Sequence, residues 1–305
     1  VSDVVAVSVQ GLRKSYGSHE AVKGIDFEVR QGEIFGFLGT NGAGKTTTIE
    51  ILEGYRPRTA GQVSVLGVDP SSPTKAWRAR IGLVLQDSEL DPVYTVRETV
   101  GMFARYYTAP REVDQTVDLV GLHDQRDTRI GTLSGGQKRR VDVALGLIGD
   151  PELLFLDEPT TGFDPQARRD AWNMIEGLRD LGKTVFLTTH YMDEAQHLAD
   201  RLTILRQGTI VAQGTAAELS ERSGGTIIRF ELPSGVDPTP IAAVTGVEPA
   251  VSGSELTVRV PRGAQRVLYQ LTGWAERGGI ELENLEVTRP TLDDVFLELT
   301  GDTAT

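Results

Sequence analysis

The chain has 305 residues, 39% of them apolar and 24% charged, which argues against wholesale disorder and leaves room for about two domains. Lys and Arg number 31 against 43 Asp and Glu, and the resulting formal charge of −12 suits general nucleic-acid binding poorly. The absence of cysteine excludes disulfides, thiolate nucleophiles and Cys-based zinc sites.

Val1 to Gln10 lacks a basic leader region and carries Asp3 inside its apolar stretch, so it does not read as a signal peptide. No run approaches the ~18 apolar residues of a membrane span. The chain is therefore expected to be soluble and cytoplasmic. Val4–Val9 is β-branched and strand-like, and Gly24–Val29 alternates apolar and polar residues as a half-buried strand does. Glu33–Leu38 is more continuously apolar and predicts a strand buried on both faces. Further strands are expected at 81–85, 153–156, 184–188, 202–205 and 209–212. Helices are expected at 95–107, 111–120, 137–147, 165–180 and 192–199. Alternation of the two predicts an α/β core with a largely parallel sheet.

Composition shifts at Ser223-Gly224-Gly225, a linker signal that divides the chain into domains at 1–222 and 226–305. Beyond it the pattern predicts strands at 226–232, 255–260 and 281–287 and helices at 240–245 and 264–276. A further stretch at 247–251 contains Pro249, which demotes it to an edge strand at best. The order βαββαβ is that of a small α+β, ferredoxin-like domain. A last amphipathic helix, Leu292–Leu299, follows Pro290. It could pack on its own domain or dock on a partner.

The strongest chemical signal is Gly39-x-x-x-x-Gly44-Lys45-Thr46, between a buried strand and a helix-like stretch. Glycines let backbone N–H groups turn inward around a phosphate, and the helix N-terminus adds its positive end. Lys45 is then expected to reach the β- and γ-phosphates, and the Thr46 hydroxyl to ligate Mg2+. Leu153-Leu154-Phe155-Leu156-Asp157-Glu158 is an apolar strand delivering two carboxylates to its C-terminal edge. Asp157 is suited to hold Mg2+, and Glu158 to orient or deprotonate an attacking water. Leu133-Ser134-Gly135-Gly136-Gln137 opens a helix with Ser134 as N-cap and leaves bare backbone to meet an anion.

With these motifs in order, residues 4–220 resemble the ATP-binding subunit of an ABC (ATP-binding cassette) transporter. The family's Walker A motif maps to Gly39–Thr46, including Asn41, Gly42, Ala43 and Gly44, with Thr47 following. Its adenine-stacking aromatic maps to Tyr16, and its Q-loop glutamine to Gln86, a candidate for sensing Mg2+ and the γ-phosphate. The signature motif is Leu133–Gln137, Walker B is Leu153–Asp157, and the catalytic carboxylate is Glu158. The D-loop is Gly162-Phe163-Asp164, and the switch histidine is His190. Two positions depart from the common pattern: Thr40 stands where proline is frequent, and Phe163 where leucine is. The latter is expected to alter the dimer contact.

The resemblance implies a P-loop NTPase cassette with a RecA-like core, an antiparallel β subdomain and a helical subdomain. It implies ATP and Mg2+ as cofactors and a head-to-tail homodimer. In that dimer Ser134, Gly135, Gly136, Gln137 and Asp164 of one chain complete the site of the other. The closing segment Arg289–Gly301 and Thr188–Ala195 resemble the drug-exporter branch, the daunorubicin-resistance type, whose members pair with a separate polytopic ABC-2 type permease. The chain is then expected at the cytoplasmic face of the membrane, driving efflux of a drug, antibiotic or lipid. Two readings stay open: a soluble cassette ATPase without a permease, and an importer ATPase whose regulatory tail would be a small β-barrel.

Overall fold

The computed structural model describes residues 4–84, 89–233, 235–292 and 294–296, with the side chains of residues 222 and 223 also left out. The chain divides into two compact units, Val1–Ala216 and Ala217–Thr305.

The first unit opens with a long hairpin, β1 (Val5–Tyr16) and β2 (His19–Arg30). Then come β3 (Ile34–Gly39), α1 (Lys45–Leu52), β4 (Ala60–Val65), α2 (Lys75–Arg78) and β5 (Ile81–Val84). A helical stretch follows: α3 (Val96–Ala104), α4 (Val113–Leu119) and α5 (Gly135–Leu147). The chain then alternates through β6 (Leu153–Asp157), α6 (Pro165–Asp180), β7 (Thr184–Thr189), α7 (Met192–Leu198), β8 (Arg201–Arg206) and β9 (Thr209–Gly214). α8 (Ala216–Ser223) leads into the second unit.

Two sheets form in the first unit. One is antiparallel, in the order β2-β1-β4; the other has the order β5-β6-β7-β3-β8-β9. The four pairings from β5 to β8 in that second sheet are parallel, and β9 closes it antiparallel to β8. Both faces of the central strands are covered, which explains the apolar runs of β3 and β6. Alternate residues go to opposite sides. Leu153, Phe155, Phe186, Phe35 and Phe37 join the antiparallel sheet and α1 in one core. Leu154, Leu156, Val185 and Leu187 join α3, α4, α5 and α6 in the other.

Helix starts follow local chemistry. The Thr95 side chain accepts from Glu98 N, while the Glu98 carboxylate accepts from Thr95 N, a reciprocal cap. Asp164 caps α6 by accepting from Gln166 N and Ala167 N, with Pro165 opening the helix. The expected strands and helices occur, with β1 and β2 longer at their facing ends than the pattern suggested. Position 85, expected to end a strand, lies outside the described residues. β4 was not expected: only Val63 and Val65 of its six residues are buried, too short an alternation to stand out.

The second unit contains β10 (Thr226–Glu231), α9 (Pro240–Thr245), β11 (Ala250–Ser252), β12 (Glu255–Val260), α10 (Ala264–Gly278) and β13 (Glu283–Thr288). Its sheet has the order β11-β12-β10-β13 with every pairing antiparallel. That is the ferredoxin-like arrangement expected from βαββαβ. The strand after Pro249 is short and sits at the edge. Ile228, Phe230, Leu256 and Val258 pack with Ile241 of α9 and Val267 and Leu271 of α10. Arg229 alternates to the opposite face of β10, where it pairs with Asp294 at 2.5 Å. Thr291 and Asp294 cap each other's backbone, and Leu292 and Val295 are buried. The start of the closing helix is thus tied to its own unit. Residues 297–299 of that expected helix lie outside the described residues.

The Phe186 ring lies 5.5–6.1 Å from the rings of Phe27, Phe35, Phe37 and Phe155 and is fully buried. Phe186→Ala is expected to cost about 3–5 kcal/mol of stability, read by urea denaturation.

Candidate functional site

Parallel strands end together, so their following loops converge. β3, β7 and β6 deliver the Gly39–Lys45 loop, His190, and Asp157 with Glu158 to one edge. The loop is tight. A Cβ on Gly39 would meet Leu205 O at 2.6 Å, and one on Gly44, at φ 107°, would meet Ala21 O at 2.7 Å. The loop is closed by Ala43 N donating to Thr40 O and Gly208 N donating to Ala43 O. Lys45 begins α1 and is only 5% exposed. Its Nζ donates to Gly39 O at 2.7 Å and lies 3.4 Å from Glu158 Oε1.

A cavity of about 590 Å³ runs over this loop, lined by Tyr16, Thr40, Asn41, Gly42, Gly44, Lys45, Thr46, Thr47, Glu158, Thr161 and His190, among others. Tyr16 is 40% exposed, and Lys14 and Arg56 approach its ring at 5.0 and 5.4 Å from the centroid. The second oxygen of Glu158 accepts from Thr161 Oγ1 at 3.2 Å. His190 Nδ1 also lies 3.2 Å from it. Burial works to raise the Glu158 carboxyl, but Lys45 and His190 outweigh it and hold it below the ordinary glutamate value. Its neighbour goes the other way. Burial pushes the Asp157 carboxyl up against a hydrogen bond from Thr188, and the Glu158 charge adds to the rise.

Ser134, Gly135, Gly136 and Asp164 line a separate cleft of about 1200 Å³ that shares Glu158 and Thr161 with the first cavity. Ser134 and Gln137 form a reciprocal cap on α5, with Gln137 N donating to Ser134 Oγ and Ser134 N to Gln137 Oε1. The structure therefore brings Tyr16, the Gly39–Thr47 loop, Glu158 and His190 into one cavity. It keeps Ser134, Gly135, Gly136 and Asp164 in another, with Gln137 in the cap beside them. Gln86 lies outside the described residues.

Two contributors were not foreseen. Thr188 donates to Asp157 and its carbonyl accepts from Glu158 N at 3.1 Å. Arg139, 9% exposed, donates to Asp157 O at 2.9 Å and Pro159 O at 3.3 Å. Thr188 stood in the sequence beside His190, but nothing local named its partner. Arg139 stood between Lys138 and Arg140, with nothing to say which cation is buried.

A P-loop at the carboxyl edge of a parallel sheet, facing paired carboxylates and a histidine, defines a nucleoside-triphosphate hydrolase. The chain belongs to the ABC transporter ATP-binding family and is an ATPase of that family. Residues 22–161 match the ABC transporter family, and residues 226–291 match the C-terminal domain of ABC transporter domain-containing protein-like sequences. It is 38% identical to the daunorubicin resistance ATP-binding protein DrrA3 of Streptomyces coeruleorubidus, over 97% of this chain and 96% of that protein. It is 40% identical to the Nod factor export ATP-binding protein I of Rhizobium meliloti (strain 1021), over 97% of this chain and 88% of that one. Among solved structures it is similar to cbiO1 of Clostridium perfringens, part of the ABC transporter complex cbiONQ. That match has a TM-score of 0.67 and 27% identity, and covers 72% of this chain and 92% of the other.

Glu53 at the end of α1 is a further carboxyl near the site. Burial, with the Asp157 and Glu50 charges adding, pushes it up to about 8 from an ordinary 4.5. Between these values the folded chain holds a proton that the unfolded chain releases, so stability falls as pH rises through that window. Glu53→Gln is expected to flatten that slope in urea denaturation carried out from about pH 5 to 8.

Proposed function

We propose that this chain hydrolyses ATP to drive an exporter whose pore is a separate polypeptide. The observation that carries the reading is the meeting of Lys45, Glu158 and His190 over one phosphate-sized loop. ATP would lie with its phosphates among the amides of Gly39–Thr46, its triphosphate against Lys45 and Thr47, and its base on Tyr16. The Glu158 carboxylate lines the cavity beside Lys45 and His190 and is placed to accept a proton from the attacking water. The water oxygen bonds to the γ-phosphorus as the bridging oxygen leaves with ADP. Lys45 and His190 stabilise the charge that spreads over the transferring group.

Asp157 fits a magnesium ion, as a hard oxygen donor that burial has left with an unfavourable charge to offset. Among the described residues no cluster of three or more acidic or histidine side chains could hold a metal alone. That suits a cation carried in largely on the phosphates, with Thr46 Oγ1, Asp157 and Gln86 as its protein contacts. When bound, Mg2+ neutralises charge on the β- and γ-phosphate oxygens.

The separate cleft holding Ser134, Gly135, Gly136 and Asp164, with Gln137 in the cap beside it, supports a head-to-tail homodimer in which these residues meet the partner copy's nucleotide. Residues 1–222 would act as the cassette and 226–305 as an accessory domain. Among the described residues no helix is long and apolar enough to cross a membrane. A polytopic ABC-2 type permease is the partner we infer, with the chain at the cytoplasmic face of the membrane. The relatives named for daunorubicin resistance and Nod factor export support a drug, antibiotic or lipid cargo. An importer with a β-barrel tail is disfavoured by the α+β second unit. No nucleic-acid partner is expected at a net charge of −12.

Lys45→Ala is expected to weaken ATP binding by about 10-fold or more, measured by equilibrium titration; unchanged affinity would remove Lys45 from the site. Glu158→Gln is expected to bind ATP but lose turnover by about 100-fold or more. That tagged variant, purified with Mg-ATP from the membranes of the source organism, is expected to retain a polytopic protein. Recovery only as a soluble dimer would favour a cassette ATPase without a permease.

A further inference from the structure

Glu158 sits at φ 46°, in the left-handed region that side-chain-bearing residues avoid. Such a conformation costs on the order of 1–3 kcal/mol and persists only when its surroundings hold it. On one side of the residue, Arg139 of α5 takes the carbonyls of Asp157 and Pro159. On the other, Thr160 is fully buried and its Oγ1 donates to Glu194 Oε1 at 2.8 Å. Glu194 lies in the first turn of α7, the helix that starts two residues after His190. It is 1% exposed. Trp172 Nε1 donates to the same oxygen at 3.2 Å, while Oε2 is buried without a hydrogen-bond partner.

A carboxyl in such a place is expensive, since burial of an incompletely paired acid costs several kcal/mol unless it is neutral. Burial accordingly pushes the Glu194 carboxyl above the ordinary glutamate value, against the pull of the donors around it. A methionine would fill the same space without that cost. What it would not supply is an acceptor for Thr160.

We propose that Glu194 is a positioning residue for ATP hydrolysis: by accepting from Thr160 it ties the loop carrying Glu158 to the helix behind His190, so that the two groups face the γ-phosphate in fixed register. This rests on the assignment of Glu158 and His190 to the hydrolytic step. Glu194 does not line the cavity over the Gly39–Thr47 loop. Its effect is on the geometry of Glu158, where a displacement of about 1 Å can cost on the order of 100-fold in rate.

The test is steady-state ATPase kinetics of the chain with five variants measured side by side, each checked for folding by its thermal melt. Glu194→Met and Thr160→Val remove opposite ends of one hydrogen bond at nearly constant volume. Each is expected to lower kcat by about 10- to 100-fold with KM for ATP within about twofold. Glu194→Gln keeps the accepting oxygen and is expected to retain at least about half of kcat, and the double variant Glu194→Met with Thr160→Val is expected to be no slower than the slower single. Should Glu194→Met fail to fold, Thr160→Val alone carries the comparison. Wild-type kcat in the folded Met and Val variants, or an effect on KM alone, overturns the proposal. So does a loss in Glu194→Gln equal to that in Glu194→Met. Glu158→Gln in the same assay separates the two levels: if it keeps turnover, the reading of the site fails and the proposal with it. If it is inactive while Glu194→Met and Thr160→Val run normally, the positioning role alone falls.

Discussion

Parallel pairing of β3, β6 and β7, each buried on both faces, is the constraint on which the rest of the first unit depends. Strands sealed between two cores can offer chemistry only at their ends. Their carboxyl ends coincide because the register aligns Leu38 with Thr189 and Asp157 with Thr188. The cation, the carboxylates and the histidine come from segments far apart in the chain. They meet because three strands stop at the same level. Five phenylalanines pack ring against ring in the core beneath that edge, one pair stacked and the others tilted.

The same edge explains why two adjacent carboxyls behave in opposite ways. Asp157 is the last residue of its strand, half-buried and turned toward Thr188. Glu158 is the first residue beyond it, and its unusual backbone turns the side chain toward Lys45 and His190. One carboxyl is raised and the other lowered by surroundings a single residue apart. Environments that drive neighbouring titratable groups apart are the usual means by which a fold assigns them different tasks.

Much of this was legible in the residues. The apolar run 33–38 announced a strand buried on both faces and 153–156 a further strand, and the helix expected at 165–180 is α6. The Gly39–Thr46 spacing alone announces a phosphate loop. In the second unit, periodicity in β12 and α10 was strong enough to give the order of elements. What was not legible shares one property: it depends on partners distant in sequence. Arg139 reaches backbone 18 and 20 residues away, and Thr188 a carboxyl 31 residues away. Residue type reveals that a group can donate, not to whom. β4 escaped for a different reason, since its two buried valines make sense only beside β1.

The crowding at the phosphate loop has a consequence for how the gene can drift. Gly39 and Gly44 are pressed against the carbonyls of Leu205 and Ala21, which belong to the scaffold and not to any ligand. Gly135, by contrast, has nothing within 4 Å of where a Cβ would stand. Glycines of the same recognisable motifs are therefore under two kinds of selection. A population of variants kept only for soluble expression would retain glycine at 39 and 44 and shed it at 135, although a reader of the motifs would rank all three alike. Retention of such a pattern in a chain would then testify to its folding and not to its turnover.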